Sequence, residues 1–88
     1  MTADEITEIF AREVEKANSC NSDTDCVVFS ADCPLDCWYY INKDKQIELR
    51  AIHDELIDRY EAGATSCSYG CVDPMLPVCL NLKCIGRK

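Results

Sequence analysis

The chain has 88 residues, eight of them cysteine, and its formal net charge at pH 7 is -7. This length allows one domain with a small apolar core, and so many cysteines are typical of a disulfide scaffold that stabilises such a core. The acidic excess excludes the basic surface that nucleic-acid binding requires and disfavours anionic membrane surfaces.

Residues 2–18 are predicted to form an amphipathic helix. Thr2 and Glu5 have the spacing of a capping box, in which each side chain bonds the other residue's backbone N–H. Apolar residues such as Ile6 and Phe10 then recur at helical spacing, with charged residues on the other faces. We expect this helix to pack on the core of its own domain.

Two short strands are predicted between the two helices. Residues 27–30 and 38–41 are rich in β-branched and aromatic side chains, which favours strands. Side chains alternate across a strand, so Trp38 and Tyr40 are expected on one face and Tyr39 on the other.

The longest predicted element is a helix over residues 43–62. Asn42 is a favourable N-cap, and Gly63 is a typical C-terminal stop. The only histidine, His53, lies beside the apolar stripe of this helix, so we interpret it as a flank of the core and not as a general base.

A β-hairpin is predicted over residues 78–86, with its turn centred on Asn81. The elements together predict an α+β fold in which two helices pack on a small antiparallel sheet, within a single disulfide-stabilised domain over residues 1–88.

An even number of cysteines predicts four disulfide bridges, formed by Cys20, Cys26, Cys33, Cys37, Cys67, Cys71, Cys79 and Cys84. No C-x2-C pair occurs, so zinc-ribbon and redox sites lack their usual spacing. Strand and helix lengths allow the two C-x3-C pairs to meet in a nested arrangement, Cys33 with Cys71 and Cys37 with Cys67. The remaining four would join the N-terminal turn and first strand to the hairpin, although eight cysteines allow 105 pairings.

The cysteine order and the segment Tyr40-Ile41-Asn42-Lys43 carry a resemblance that covers residues 20–85. Here the chain resembles small exported bacterial cysteine-rich proteins, often lipoprotein-like, whose function is unknown. That family often has Asn-Gly-Lys-Cys in its last hairpin, where this chain has Leu82. The resemblance implies export and disulfides, and it implies no activity.

We expect an extracellular or periplasmic location, with the export signal absent from this fragment. The sequence shows no signal peptide and no apolar run long enough to span a membrane, although a lipid anchor upstream would be compatible with it. The rival expectation is oxidation in the mitochondrial intermembrane space. The chain is expected to be a monomer.

The predicted function is that of a non-catalytic structural or protein-binding module, with no cofactor, no resident metal and no catalytic residue. The candidate partner-binding residues are Met75 and Leu76, in a loop that two prolines stiffen, together with Trp38 and Tyr39. One alternative is a protease inhibitor that presents the loop 72–78.

Metal binding is a further alternative, through zinc if the cysteines are reduced or through calcium. Asn21, Asp23 and Asp25 occupy positions 1, 3 and 5 of a calcium-loop pattern, with Asp32 at position 12. Cys26 replaces the glycine that the pattern requires, so a turn between two cysteines is the simpler interpretation.

Overall fold

The computed structural model describes residues 2–33, 35–60 and 70–88. Its helices and strands are α1 (Ala3–Ala17), β1 (Cys26–Ser30), β2 (Trp38–Asn42), α2 (Gln46–Asp58), β3 (Leu76–Leu80) and β4 (Lys83–Arg87). The strands form two separate two-stranded antiparallel sheets, β1 with β2 and β3 with β4. The predicted α+β class is therefore confirmed, but the single sheet is divided in two because each hairpin pairs only within itself.

The helix α1 begins with the capping box that the sequence predicts. The backbone N–H of Glu5 donates to Thr2 Oγ1 over 3.2 Å, and the N–H of Thr2 donates to Glu5 Oε1 over 3.1 Å. Ile6 and Phe10 lie one turn apart on the buried face of this helix and are fully enclosed. The cap positions the start of the helix, and the two apolar side chains hold it on the core.

The β1–β2 sheet has one face covered by the helices. In its register Val27 lies opposite Ile41, and Phe29 lies opposite Tyr39, so these four side chains share a face. All four join the apolar core, where the ring of Tyr39 meets Phe10 edge-on at 4.9 Å. The opposite face carries Trp38 and Tyr40, as strand alternation predicts.

The β3–β4 hairpin lies against that second face. Cys79 and Cys84 are paired across the hairpin, and they form disulfides with Cys20 and Cys26. This confirms the prediction that these four cysteines join the N-terminal turn and first strand to the hairpin. The fold is therefore layered, with the helices on one side of β1–β2 and the hairpin on the other.

Element boundaries differ from the predictions mainly at the second helix. A 3-10 turn, Lys43–Lys45, comes first, capped by Asn42 Oδ1, which accepts the N–H of Asp44 over 2.8 Å. The α-helix then ends at Asp58, before the predicted end at residue 62, while the predicted stop Gly63 lies outside the described residues. The hairpin extends beyond the predicted 78–86, because pairing already begins at Leu76.

The hairpin turn contains two residues with left-handed backbone. Asn81 has φ 52° and Leu82 has φ 65°. Leu82, at a turn position where glycine is usual, therefore does not prevent a tight two-residue turn. Within residues 2–33, 35–60 and 70–88, no helix has the length and apolarity needed to cross a membrane.

Candidate functional site

Three disulfides are described, and one of them corrects the predicted pairing. Cys37 bonds Cys71, so the nested pairs Cys33–Cys71 and Cys37–Cys67 are both wrong. The nested pairing assumed that the two segments run in opposite directions. The chain after Cys71 instead runs in the same direction as β2. This places Cys71, the second cysteine of its C-x3-C pair, beside Cys37, the second cysteine of the other pair. Cys67 lies outside the described residues, so the fourth bridge stays a prediction.

Two side-chain bonds from β2 hold the segment that follows Cys71. The indole N–H of Trp38 donates to the carbonyl of Val72 over 2.7 Å. The hydroxyl of Tyr40 accepts the backbone N–H of Met75 over 3.1 Å. Together with the Cys37–Cys71 bridge, these bonds fix the backbone of residues 71–75 before β3 begins.

Exposed apolar side chains are concentrated on this segment and on the hairpin that follows it. The large exposed apolar residues from 72 to 82, which we call the 72–82 surface, are Val72 (79% exposed), Met75 (41%), Leu76 (64%), Leu80 (51%) and Leu82 (67%). Of the described residues, the other large apolar side chain this exposed is Ile47. The sequence pointed to Met75 and Leu76 only, although leucine at a tight turn, where polar residues or glycine are usual, also signals Leu82.

The structure gives the two aromatic candidates different roles. Trp38 is half-buried, and its indole N–H supports the backbone of Val72, so it positions the 72–82 surface. Tyr39 points to the helices and packs on Phe10. Strand alternation turns its ring towards the core, where it is partly buried, and its assignment as a partner-binding residue stays a prediction.

His53 is fully buried and both of its ring nitrogens are engaged. Nε2 accepts the backbone N–H of Asp32 over 2.9 Å, and Nδ1 lies 2.9 Å from Asp54 Oδ1. Because Nε2 must accept, the neutral ring carries its proton on Nδ1 and donates it to Asp54. The ring also meets Phe10 and Phe29 edge-on. This confirms the interpretation of His53 as part of the core.

Two carboxylates of the calcium pattern, those of Asp23 and Asp25, accept hydrogen bonds from backbone N–H groups. Asp25 accepts the backbone N–H groups of Asn21 and Ser22, and these bonds lower the pKa of its carboxyl. Asp23 accepts the N–H of Cys79 over 2.8 Å. Asp32 follows the far end of β1, about 17 Å away for a five-residue strand. These oxygens do not converge on one cation.

Sulfur atoms do converge, but as disulfides. The Sγ atoms of Cys20, Cys26 and Cys84 lie within 4.8 Å of one another and are buried. Zinc requires thiolates, and all three sulfurs are bonded to another cysteine. In the oxidised protein this cluster connects the layers.

The 72–82 surface, on its disulfide-anchored backbone, therefore has the character of a contact site. Neither a protein-family model, nor a curated protein, nor a solved structure matches the chain.

Proposed function

We propose that this protein is a non-catalytic, exported module that binds another protein through the 72–82 surface. The observation that carries the proposal is the exposure of Val72, Met75 and Leu76 on a backbone held at both ends. These three exposed residues lie within a stretch of five, and contiguous exposed apolar surface marks contact sites in small proteins.

The anchoring of this segment favours binding for an entropic reason. A loop that is already ordered loses little conformational freedom when a partner binds it. Here Cys37–Cys71 fixes the start, and the bond from Met75 to Tyr40 fixes the approach to β3. The apolar side chains are thus presented in one arrangement, with their desolvation available to drive association.

An oxidising compartment is part of the proposal. Three described disulfides are compatible with the extracellular space or the periplasm, where such bonds persist. The resemblance to small exported bacterial cysteine-rich proteins agrees with this location and remains a proposal itself.

The test compares three versions of the oxidised protein as bait in an extract of exported proteins, followed by calorimetry with the purified partner. The double variant Met75→Ser, Leu76→Ser removes the apolar contacts. Ile47→Ser is the control, since it removes an even more exposed apolar side chain at another site. We expect wild type and Ile47→Ser to bind alike and the double variant to lose roughly tenfold or more in affinity.

Two results would contradict the proposal. One is a purified partner that binds all three versions with the same affinity. The other is the recovery of no saturable partner by wild type. Both variants alter exposed side chains, so circular dichroism and intact mass are expected to show an unchanged fold with all disulfides formed.

Protease inhibition is a second candidate because residues 71–75 are both exposed and fixed, as inhibitor loops must be. Its distinguishing test is a panel of fluorogenic serine-protease substrates. Inhibition that is lost in the double variant would identify the partner class as a protease. The predicted loop 72–78 is shortened on this view, because residues 76–78 already pair within the hairpin.

A further inference from the structure

The outer edges of the two sheets are protected to different degrees. Along β4, residues 18–20 occupy the edge, with Cys20 N–H donating to Leu82 O and Cys84 N–H donating to Asn18 O. Along β3, Asp23 accepts the N–H of Cys79, and Pro77 has no N–H to offer. Such devices prevent the pairing of an edge strand with another chain. Among the residues that the structure describes, the edge of β1 has neither a covering strand nor a proline.

The hydrogen-bond pattern of β1–β2 shows which groups of β1 point outward. Ala31 N–H donates to Cys37 O, so these two residues form a hydrogen-bonded pair. In an antiparallel ladder such pairs alternate, so Phe29 with Tyr39 and Val27 with Ile41 are hydrogen-bonded pairs as well. Phe29 and Val27 therefore bond to β2. The backbone groups of Cys26, Val28 and Ser30 point to the opposite side, along the outer edge.

Two of those six outward groups are already used. The N–H of Cys26 donates to Asp23 O, and the carbonyl of Ser30 accepts Arg50 Nη2 over 2.9 Å. Among the described residues, no partner is found for the carbonyl of Cys26, the N–H and carbonyl of Val28, or the N–H of Ser30. The edge thus offers two donors and two acceptors centred on one residue.

A two-fold rotation about an axis at Val28 places each of these donors opposite one of the acceptors of a second copy. In an antiparallel pair with Val28 opposite Val28 of a second copy, the two valines exchange two bonds. Each Ser30 N–H then meets the Cys26 carbonyl of the other chain. The two groups that such a pair leaves out, Cys26 N–H and Ser30 C=O, are the ones already bonded within the chain.

Charge and shape along the edge agree with the same rotation. Arg50 lies at the Ser30 end, over the ring of Phe29, while Asp23 and Asp25 lie just before Cys26. The antiparallel arrangement brings the cation of each chain to the acidic turn of the other.

Beside this edge runs a groove of about 360 Å³ between β1 and the first turns of α2. Its wall includes Ile47, whose side chain is 87% exposed. Pairing of the two edges would bring both grooves together and remove apolar surface from water.

We propose that β1 binds a second copy of this chain, joining the two β1–β2 sheets into one four-stranded antiparallel sheet with a two-fold axis at Val28. The contact is one short strand and a groove, so the dimer is weak, in the class of small interfaces. This surface is separate from the 72–82 surface, and it does not depend on the proposed function. It differs from the sequence-based expectation of a monomer, and the mass measurement below decides between them.

Sedimentation equilibrium of the oxidised chain tests the proposal, in about 0.15 M NaCl to screen the net negative charge. The weight-average mass should rise from 9.9 kDa towards twice that value as concentration approaches about 1 mM, the range suited to a small interface. Amide exchange measured by NMR should slow at Val28 and Ser30 on concentrating the sample. The amide of Phe29, bonded within the chain, should not change.

The central variant is Val28→Pro, which removes an outward N–H without removing a bond between β1 and β2, and should keep the mass at 9.9 kDa. Val28→Thr retains that N–H and should dimerise like wild type. If the proline variant unfolds, Ile47→Asp replaces it as the probe, since so exposed a side chain contributes little to the monomer's fold. It should weaken the dimer by roughly tenfold or more.

Three outcomes would overturn the proposal. The first is a mass of 9.9 kDa throughout the concentration range. The second is association that folded Val28→Pro or Ile47→Asp leaves unchanged. The third is association abolished by Met75→Ser, Leu76→Ser, which would place the interface on the 72–82 surface.

Discussion

Replacing Leu82 by glycine should stabilise the protein. Leu82 is the second residue of the two-residue turn between β3 and β4, and its φ of 65° lies in the left-handed region. Turns of this kind favour asparagine followed by glycine, because glycine has no Cβ to clash in that conformation. Asn81 already provides the favourable first residue.

The magnitude follows from two opposing terms. Left-handed backbone costs an ordinary L-residue roughly 1–2 kcal/mol, which glycine avoids. Glycine in turn lowers the free energy of unfolding by about 0.5–1 kcal/mol, because it makes the unfolded chain more flexible. The side chain of Leu82 is 67% exposed, so its removal sacrifices little burial. We expect a net gain of about 0.5–1 kcal/mol, which corresponds to a Tm increase of roughly 2–8 °C in a domain of this size.

Urea unfolding and calorimetry of the oxidised protein measure this gain. Leu82→Ala is the matched control, because it removes the exposed apolar side chain but keeps the Cβ and hence the strain. The reasoning is refuted if Leu82→Gly is no more stable than wild type. Equal gains in both variants would also refute it, since they would assign the effect to the exposed side chain.

Three further predictions concern the core, the buried histidine and acid stability. Gly86→Ala should cost about 1–3 kcal/mol in urea unfolding, since a Cβ there would lie 2.5 Å from the ring of Tyr40, whereas Gly70→Ala, with nothing within 4 Å, should change little. His53→Leu should cost about 0.5–1.5 kcal/mol, because the partly buried bond from the backbone N–H of Asp32 to its Nε2 would be lost. The lowered pKa of Asp25 contributes stability above the ordinary value of 3.8, and this contribution is lost as pH falls through the folded-state pKa. The stability difference between wild type and Asp25→Asn should therefore shrink in acid titrations below pH 3.8.

Local sequence signals predicted much of the fold. The capping box at Thr2, the strand pair and the final hairpin all depend on residues close together in the chain, and all are confirmed. The helix α2 was predicted too long at both ends. At its start, the cap that Asn42 provides serves a 3-10 turn before the α-helix, a distinction that an N-cap residue alone does not make.

Long-range pairing was predictable only in part. Cys20, Cys26, Cys79 and Cys84 were correctly assigned to bridges between the N-terminal segment and the hairpin, because these four remain once the two C-x3-C pairs are set aside. The partner of Cys71 depended instead on the direction in which the following segment runs. That direction is determined by the polar ends of Trp38 and Tyr40, which accept or donate one bond each to backbone 34 or 35 residues away. A sequence shows these residues as apolar strand formers and does not show which backbone their polar atoms reach.

The strain at Leu82 bears on the proposed function as well as on stability. An exposed leucine in left-handed backbone lowers the stability of the isolated chain, and residues held in costly conformations cluster at functional sites. Under the proposed function, partner binding at the 72–82 surface would bury this side chain. Leu82→Gly should then be more stable yet bind the purified partner more weakly. Leu82→Ala should bind equally weakly without the gain in stability. If both bind like wild type, Leu82 lies outside the contact, and the binding surface contracts to residues 72–76.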